Sequence, residues 1–397
     1  MAALPAGSAP LARASADASR LLFIDNLRWT MILLVVSMHA AVTYSSIGRW
    51  YYMEKPPAAG LELLVFITYQ AFLQAFFMGF LFFIAGYFVP ASHDKKGAGR
   101  FLRDRAIRLG LPTLLYVLVL SPVAEYIASS RRTDFLRFLG RYLTPERMLN
   151  GTGPLWFCVA LLIFCCVYTL LRLVLRPGDS VRPLAHARGS VPPPRDRHVL
   201  AVILLMAVAT FLVRTLQPIG TAIYNMQLCF FSQYVVLFAM GIQACRKSWL
   251  LRLPHSFGLR WLAVGIGAGA LLWVGLITKG GALEGNLQAY NGGWHWQSAV
   301  LSLWESIVCA GVSIGLLVIF REKFSTQSRL VRVLSANAFA VYVLHPPVLI
   351  ATTLAMRGLI APPLVKFAVA TAIAWSLTLL LSAAVCRQIP GLRRILA

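Results

Sequence analysis

Acidic side chains are scarce in this sequence: 14 Asp and Glu stand against 37 Lys and Arg in 397 residues, and the four charged types together make up 13% of the chain. A soluble domain is about one quarter charged. The shortage, joined to a 58% hydrophobic composition and a mean hydropathy of +0.71, excludes an ordinary soluble globule and points to a polytopic membrane protein. Also missing are a CxxC pair, a histidine at zinc spacing, a P-loop, a dinucleotide fingerprint and any cluster of metal ligands. No metal and no tightly bound cofactor is therefore expected, and the seven cysteines read as small buried hydrophobes. A formal charge of +23 would suggest nucleic acid in a soluble protein. Here the basic residues gather between apolar runs, so the lipid bilayer and phosphate-bearing cytoplasmic ligands are the expected partners, and nucleic acid is not.

Long apolar runs are abundant. Windows of about 20 residues mark ten spans, at 27–47, 61–89, 107–128, 154–175, 199–217, 222–244, 259–278, 297–320, 334–356 and 362–386. The fold class is all-α with ten transmembrane helices, and the weakest boundary is around Gln217-Pro218-Ile219-Gly220. An even count puts both termini on one side. Assigning that side to the cytoplasm places 25 of the 37 basic residues there, 11 opposite and Arg28 inside the first span, the bias of an inner membrane protein with internal termini.

Residues 1–19 are Ala/Ser/Pro-rich and read as a disordered tail, with the first span itself as anchor; 20–390 form one membrane domain and 391–397 a short cytoplasmic tail. Residues 177–198, rich in Pro, Gly and Arg, read as a flexible cytoplasmic linker between spans five and six, with His186 and His198 solvated. The loop 129–152 disagrees with the charge pattern, since it carries Arg131, Arg132, Arg137, Arg141 and Arg147 on the outer side. Phe135, Leu136, Phe138, Leu139, Tyr142 and Leu143 recur there at helical spacing, so an amphipathic interfacial helix accounts for it; a miscounted span is the alternative.

The stretch RLLFIDNLRWTMILLVVSMHAAVTY (20–44) is long enough to cross a bilayer yet holds Asp25, Arg28 and His39. Such groups are costly in a membrane and mark a partner, a pathway or a reaction. Arg28 and His39 are eleven residues apart, which on a helix leaves them about 20° apart in azimuth and about 16 Å apart along the axis. Three further stretches carry polar signals: FFMGFLFFIAGYFVP (76–90) with Arg105 and Arg108 after it, GPLWF (153–157), and SANAFAVYVLHPP (335–347).

Together these stretches resemble the integral-membrane acyltransferase-3 family over about residues 20–390, with a lean towards its glucan succinyltransferase-like branch. The resemblance implies transfer of an acetyl, succinyl or similar group to a hydroxyl of a cell-envelope carbohydrate. The family's Arg-x10-His and Arg-x2-Arg patterns fall on Arg28, His39, Arg105 and Arg108, and Trp156 matches the third motif.

The residues suit that chemistry. A hydroxyl acceptor needs a base, and a histidine near pKa 6.5 serves at neutral pH; His39 would be that base or would carry the acyl group. A histidine hydrogen-bonded within the bundle is the structural alternative. Asp25, three residues before Arg28, can pair with it and orient it. Arg105 and Arg108, with Lys95, Lys96, Arg100 and Arg103, make a basic funnel whose guanidinium forks suit the phosphates of acyl-CoA as donor. His345 is either a substrate-side catalyst or part of a helix break at Pro346-Pro347. Glu305, inside the eighth span, needs a histidine or arginine partner and could orient His39 or His345. Trp156 is an interfacial anchor or a sugar-stacking surface. Gly311-Val312-Ser313-Ile314-Gly315 fits the serine hydrolase pattern, but that motif needs a strand-to-helix elbow, so within a span it reads as helix packing. The rival function is a transporter or flippase for a lipid-linked sugar, against which the lack of similarity between spans 1–5 and 6–10 weighs.

Overall fold

The structure, a computed structural model, describes residues 21–129, 134–175, 192–386, 388–389, 391–392 and 396. The N-terminal tail, Arg131, Arg132, His186 and most of the linker lie outside the described residues, as does the side chain of Cys386.

Among the described residues ten helices are long and apolar enough to cross a membrane: α1 (Leu22–Ser45), α2 (Gly60–Lys96), α3 (Ala98–Ala128), α4 (Gly153–Val174), α5 (Asp196–Leu216), α6 (Leu228–Arg246), α7 (His255–Lys279), α8 (Trp296–Lys323), α9 (Arg329–Ala355) and α10 (Pro363–Ala384). Each expected window is met by one helix. No strand occurs among the described residues beyond an isolated bridge between Ile223 and Met226. That bridge delays α6: Tyr224 and Asn225 sit at φ 49° and 62°, a left-handed pair that makes a tight turn where the apolar pattern alone suggested helix from residue 222. At the other end of the linker, α5 begins at Asp196, so 196–198 are helical. His198 Nδ1 accepts from the Arg195 amide at 3.0 Å, and Asp196 takes Arg260 at 2.7 Å and the Trp261 indole at 2.9 Å. The linker is shorter than expected because these groups satisfy the free amides and the charge of a helix start.

Four helices form the centre. The apolar windows of α1, α2, α8 and α9 are 56%, 67%, 67% and 61% buried, against 22% for α7 and α10. α1 packs on α2, α8, α9 and α10, and α2 also receives α6 and α8. Close crossings depend on glycine. A Cβ on Gly241 of α6 would stand 2.1 Å from the Phe83 carbonyl oxygen of α2. Gly311 meets Gly265 and the Trp261 carbonyl in the same way, so the GxSxG-like stretch is the α7–α8 contact.

Two spans depart from the sequence reading. α3 contains π-helical turns at Ala106–Gly110 and Tyr116–Leu120. A π turn takes more residues per revolution than an α turn, so Arg105 and Arg108 stand further apart around the helix than α-helical spacing implies; Arg105 is half-buried and Arg108 exposed. α9 runs unbroken through Pro346 and Pro347, which corrects the expected helix break. Pro346 has no amide to give the carbonyl of Tyr342, and His345 Nδ1 takes that carbonyl instead at 2.7 Å.

The loop after α3 holds a short helix, Phe135–Tyr142, capped by Asp134 and packed through Phe135 and Phe138 on Tyr126. Leu136 is 73% exposed on its outer side, the two-faced pattern of an interfacial helix. Five cysteines are buried and Cys166 is exposed, the one described cysteine that departs from expectation.

Candidate active site

His39 and His345 come from different central helices, and their rings stack at 5.3 Å and 15°. Trp50 also stacks on His39, at 4.1 Å and 13°, with its ring 6.2 Å from that of His345. The local cause on α9 is the His-Pro-Pro order. The Tyr342 carbonyl can only accept, so Nδ1 of His345 carries the proton and Nε2 keeps a lone pair. Among the described residues that buried Nε2 has no hydrogen-bond partner, and neither has the buried indole nitrogen of Trp50. The ring cluster therefore holds a basic nitrogen and an N–H donor, neither of them paired among the described residues.

His39 opens on a cavity of about 140 Å³, walled by Gln74, Arg49, Trp156, Asn225, Gln227, Tyr234 and Tyr342 among others. Trp156 lies in this wall, stacked on Tyr234 at 5.7 Å and 25°, whereas Trp294 and Trp296 are exposed in the manner of interfacial anchors. The GPLW turn is held on three sides. The Tyr342 hydroxyl donates to the Pro154 carbonyl, Asn225 Nδ2 donates to the Gly153 carbonyl at 2.7 Å, and Gly153 at φ 48° leaves no room for a Cβ beside Tyr116 and Tyr51.

The loop between α1 and α2 carries Trp50 and is pinned down. The Glu54 amide donates to the Thr43 carbonyl at 2.9 Å, the Glu54 carboxylate forms a buried ion pair with Lys366, and the Tyr51 hydroxyl bonds Tyr116 at 2.9 Å and Ser121 at 3.3 Å. Burial pushes the Tyr51 phenol up to about 12, against the lowering effect of its two hydroxyl partners.

The opposite end of the bundle is basic. Arg28 pairs with Asp25 at 3.2 Å and lies over the Phe88 ring at 4.6 Å. Arg105 lies over Phe101 at 5.2 Å, and Phe101 meets His93, so Arg28 and Arg105 both rest on side chains tied to the end of α2. Asn26 donates to the Phe324 carbonyl at 2.7 Å and accepts from Gln327 at 2.8 Å, which locks the start of α1 to the loop after α8. Asp25 is fourteen residues from His39 along one helix, about 21 Å. It accepts from Arg28, an orienting contact far from the histidine stack.

Glu305 belongs to a separate buried cluster. Its carboxylate takes Arg214 at 2.6 Å, Arg214 also donates to Ser302 at 3.2 Å, and the guanidinium stands over the Phe230 ring at 5.2 Å. Phe230 is part of the cavity wall, so this pair backs the wall, and its partner is the arginine rather than His39 or His345. Arg214 was not singled out from the sequence. A lone arginine in VATFLVRTL carries the same signal as Arg28. Trp50 and Arg49 sit on a loop, and apolar periodicity says nothing about which loop folds inward; Asn225 and Gln227 fall inside the window 222–244 read as the sixth span, which hides the turn ahead of α6.

A family model described as an acyltransferase domain matches residues 21–386. No curated protein and no solved structure matches the chain. The match runs from the residue before α1 past the last described turn of α10 and takes in Arg28, His39, Arg105, Arg108, Trp156 and His345. On that extent the chain belongs to the acyltransferase-3 family and is a membrane acyltransferase.

Proposed function

We propose that this enzyme moves an acetyl or succinyl group from cytoplasmic acyl-CoA to a hydroxyl of a cell-envelope carbohydrate, in the inner membrane of a bacterium. The observation that carries the reading is the His39 stack opening on the cavity, about 16 Å along α1 from Arg28 at the basic end. Donor phosphates meet Arg28 and Arg105, with Arg108 exposed at the rim, and the thioester points inward to His39. The acceptor comes from the loop side, past Trp156. His39 takes the hydroxyl proton; the oxygen forms the ester bond, the C–S bond breaks, and the proton leaves with the coenzyme A thiol. The same nitrogen could equally hold the acyl group between two half-reactions. His345, fully buried behind His39, positions that ring.

Internal termini are supported by charge. Of the eleven basic residues assigned to the outer face, Arg214 and Lys366 are buried in ion pairs, so the solvent-facing bias is steeper than the sequence suggested.

Purified His39→Ala should transfer or hydrolyse labelled acyl-CoA about 10²- to 10⁴-fold more slowly, the usual share of a positioned base. A normal rate would sink the assignment. Comparison of envelope glycans by mass, with and without the chain, identifies the acceptor.

A further inference from the structure

The cavity is polar on its loop side and carries one permanent charge. Among its lining residues are the amides Gln74, Asn225 and Gln227 and the guanidinium of Arg49, with no carboxylate. Gln74 Nε2 is engaged by the Tyr234 hydroxyl at 3.1 Å, and Asn225 Nδ2 by the Gly153 carbonyl at 2.7 Å. Arg49 has no hydrogen bond, ion pair or ring contact among the described residues.

Its side chain is exposed, and what is built is the loop that carries it. Arg49 immediately precedes Trp50, whose ring is stacked on His39, and the loop carrying both is tied down by the Glu54–Lys366 pair and by Tyr51 on Tyr116 and Ser121. Two adjacent residues thus place an indole on the histidine and a fork of N–H donors in the same cavity. A guanidinium fork matches two anionic oxygens, and a neutral sugar hydroxyl uses little of it.

We infer that Arg49 is a charge-selecting residue: the reactant in this cavity carries an anionic oxygen group, a carboxylate or phosphate, which Arg49 holds beside His39. The inference rests on the acyl-transfer reading and names the class of substrate. The anion has two possible sources, the free carboxylate of a dicarboxylic acyl group such as succinyl, or an acidic substituent on the acceptor.

Binding can be read without turnover from carbethoxylation of His39 by diethylpyrocarbonate, followed by peptide mass on the purified full-length chain. Glucose, glucuronate, glucose 6-phosphate and succinate serve as protecting probes. A charge-assisted fork changes affinity on the order of tenfold to a hundredfold. An anionic probe should therefore half-protect His39 at a concentration at least tenfold below that of glucose. Arg49→Gln should remove the difference and Arg49→Lys should keep part of it. Protection by glucuronate or glucose 6-phosphate assigns the anion to the acceptor, and protection by succinate assigns it to the acyl group. Steady-state ratios of succinyl-CoA to acetyl-CoA use, wild type against R49Q, check the second source. Equal protection by all four probes, or a preference that survives R49Q, overturns the inference. A normal transfer rate in His39→Ala instead removes the acyl-transfer assignment, and the protection result stands apart from it.

Discussion

The buried pair of Arg214 and Glu305 separates a structural carboxylate from a catalytic one. Arg214 is fully buried, and its guanidinium meets Glu305 at 2.6 Å, Ser302 at 3.2 Å and the face of Phe230. Glu305→Gln keeps the shape and an acceptor oxygen but leaves a full positive charge in an apolar bundle. Removing one partner of such a pair costs about 3–5 kcal/mol, most of it the uncompensated charge. Arg214→Gln should cost a similar amount for the mirrored reason. The double variant R214Q/E305Q strands no charge, and because a glutamine at 214 ends two bonds short of the guanidinium nitrogen that meets Glu305, its cost is that of the void and the lost hydrogen bonds, about 2–4 kcal/mol, still below the sum of the singles. The assay is equilibrium unfolding in mixed micelles with rising SDS fraction, followed by tryptophan fluorescence, together with acyl transfer by each variant that folds. E305Q within about 1 kcal/mol of wild type, or a double variant as unstable as the two singles combined, would refute the reasoning. A double variant that folds and transfers acyl groups assigns Glu305 to the wall behind Phe230; one that folds without transfer returns it to the chemistry.

Gly241→Ala should force α6 away from α2, because the added carbon would stand 2.1 Å from the Phe83 carbonyl oxygen and 2.9 Å from the Tyr87 amide, backbone atoms that cannot rotate aside. The expected loss is about 1–3 kcal/mol; Gly267→Ala, which meets nothing within 4 Å, should gain about 0.5–1 kcal/mol, and the same unfolding titration reads both. The Tyr51 phenol, raised from 10 to about 12 by burial, stays protonated in the folded chain where the unfolded chain has lost the proton. Its contribution is complete below pH 10 and disappears as pH rises to 12, a loss of at most about 2–3 kcal/mol. Tyr51→Phe should flatten that part of the stability profile, and an unchanged slope from pH 10 to 12 would count against it.

Much of the fold was legible in the sequence because a bilayer asks one simple question of each segment, whether about 20 residues are apolar enough to cross. Boundaries moved where local chemistry intervened, as at the left-handed Tyr224-Asn225 turn and at Asp196 with its Arg260 partner. The spacing of Arg28 and His39 was also legible, since both sit on one uninterrupted helix. Arg105 and Arg108 show where such spacing fails: a π turn between them changes the angle per residue, and no residue pattern announced it. His345 shows a different failure. Two prolines looked like a helix break, whereas the histidine beside them satisfies the carbonyl that Pro346 leaves free.

The sequence by itself determined the membrane class, the ten helices, and the placing of a basic end and a histidine on the same first span. These follow from composition and from periodicity along single elements. Tertiary structure decided what meets what. His39 and His345 are 306 positions apart in sequence and stack at 5.3 Å. A loop pinned by Glu54 and Lys366 brings Arg49 to the cavity and Trp50 onto His39, and Glu305 is taken by Arg214 in place of a histidine. Pairings of this kind depend on helix crossing and loop docking between distant segments, and single-chain periodicity carries no information about either.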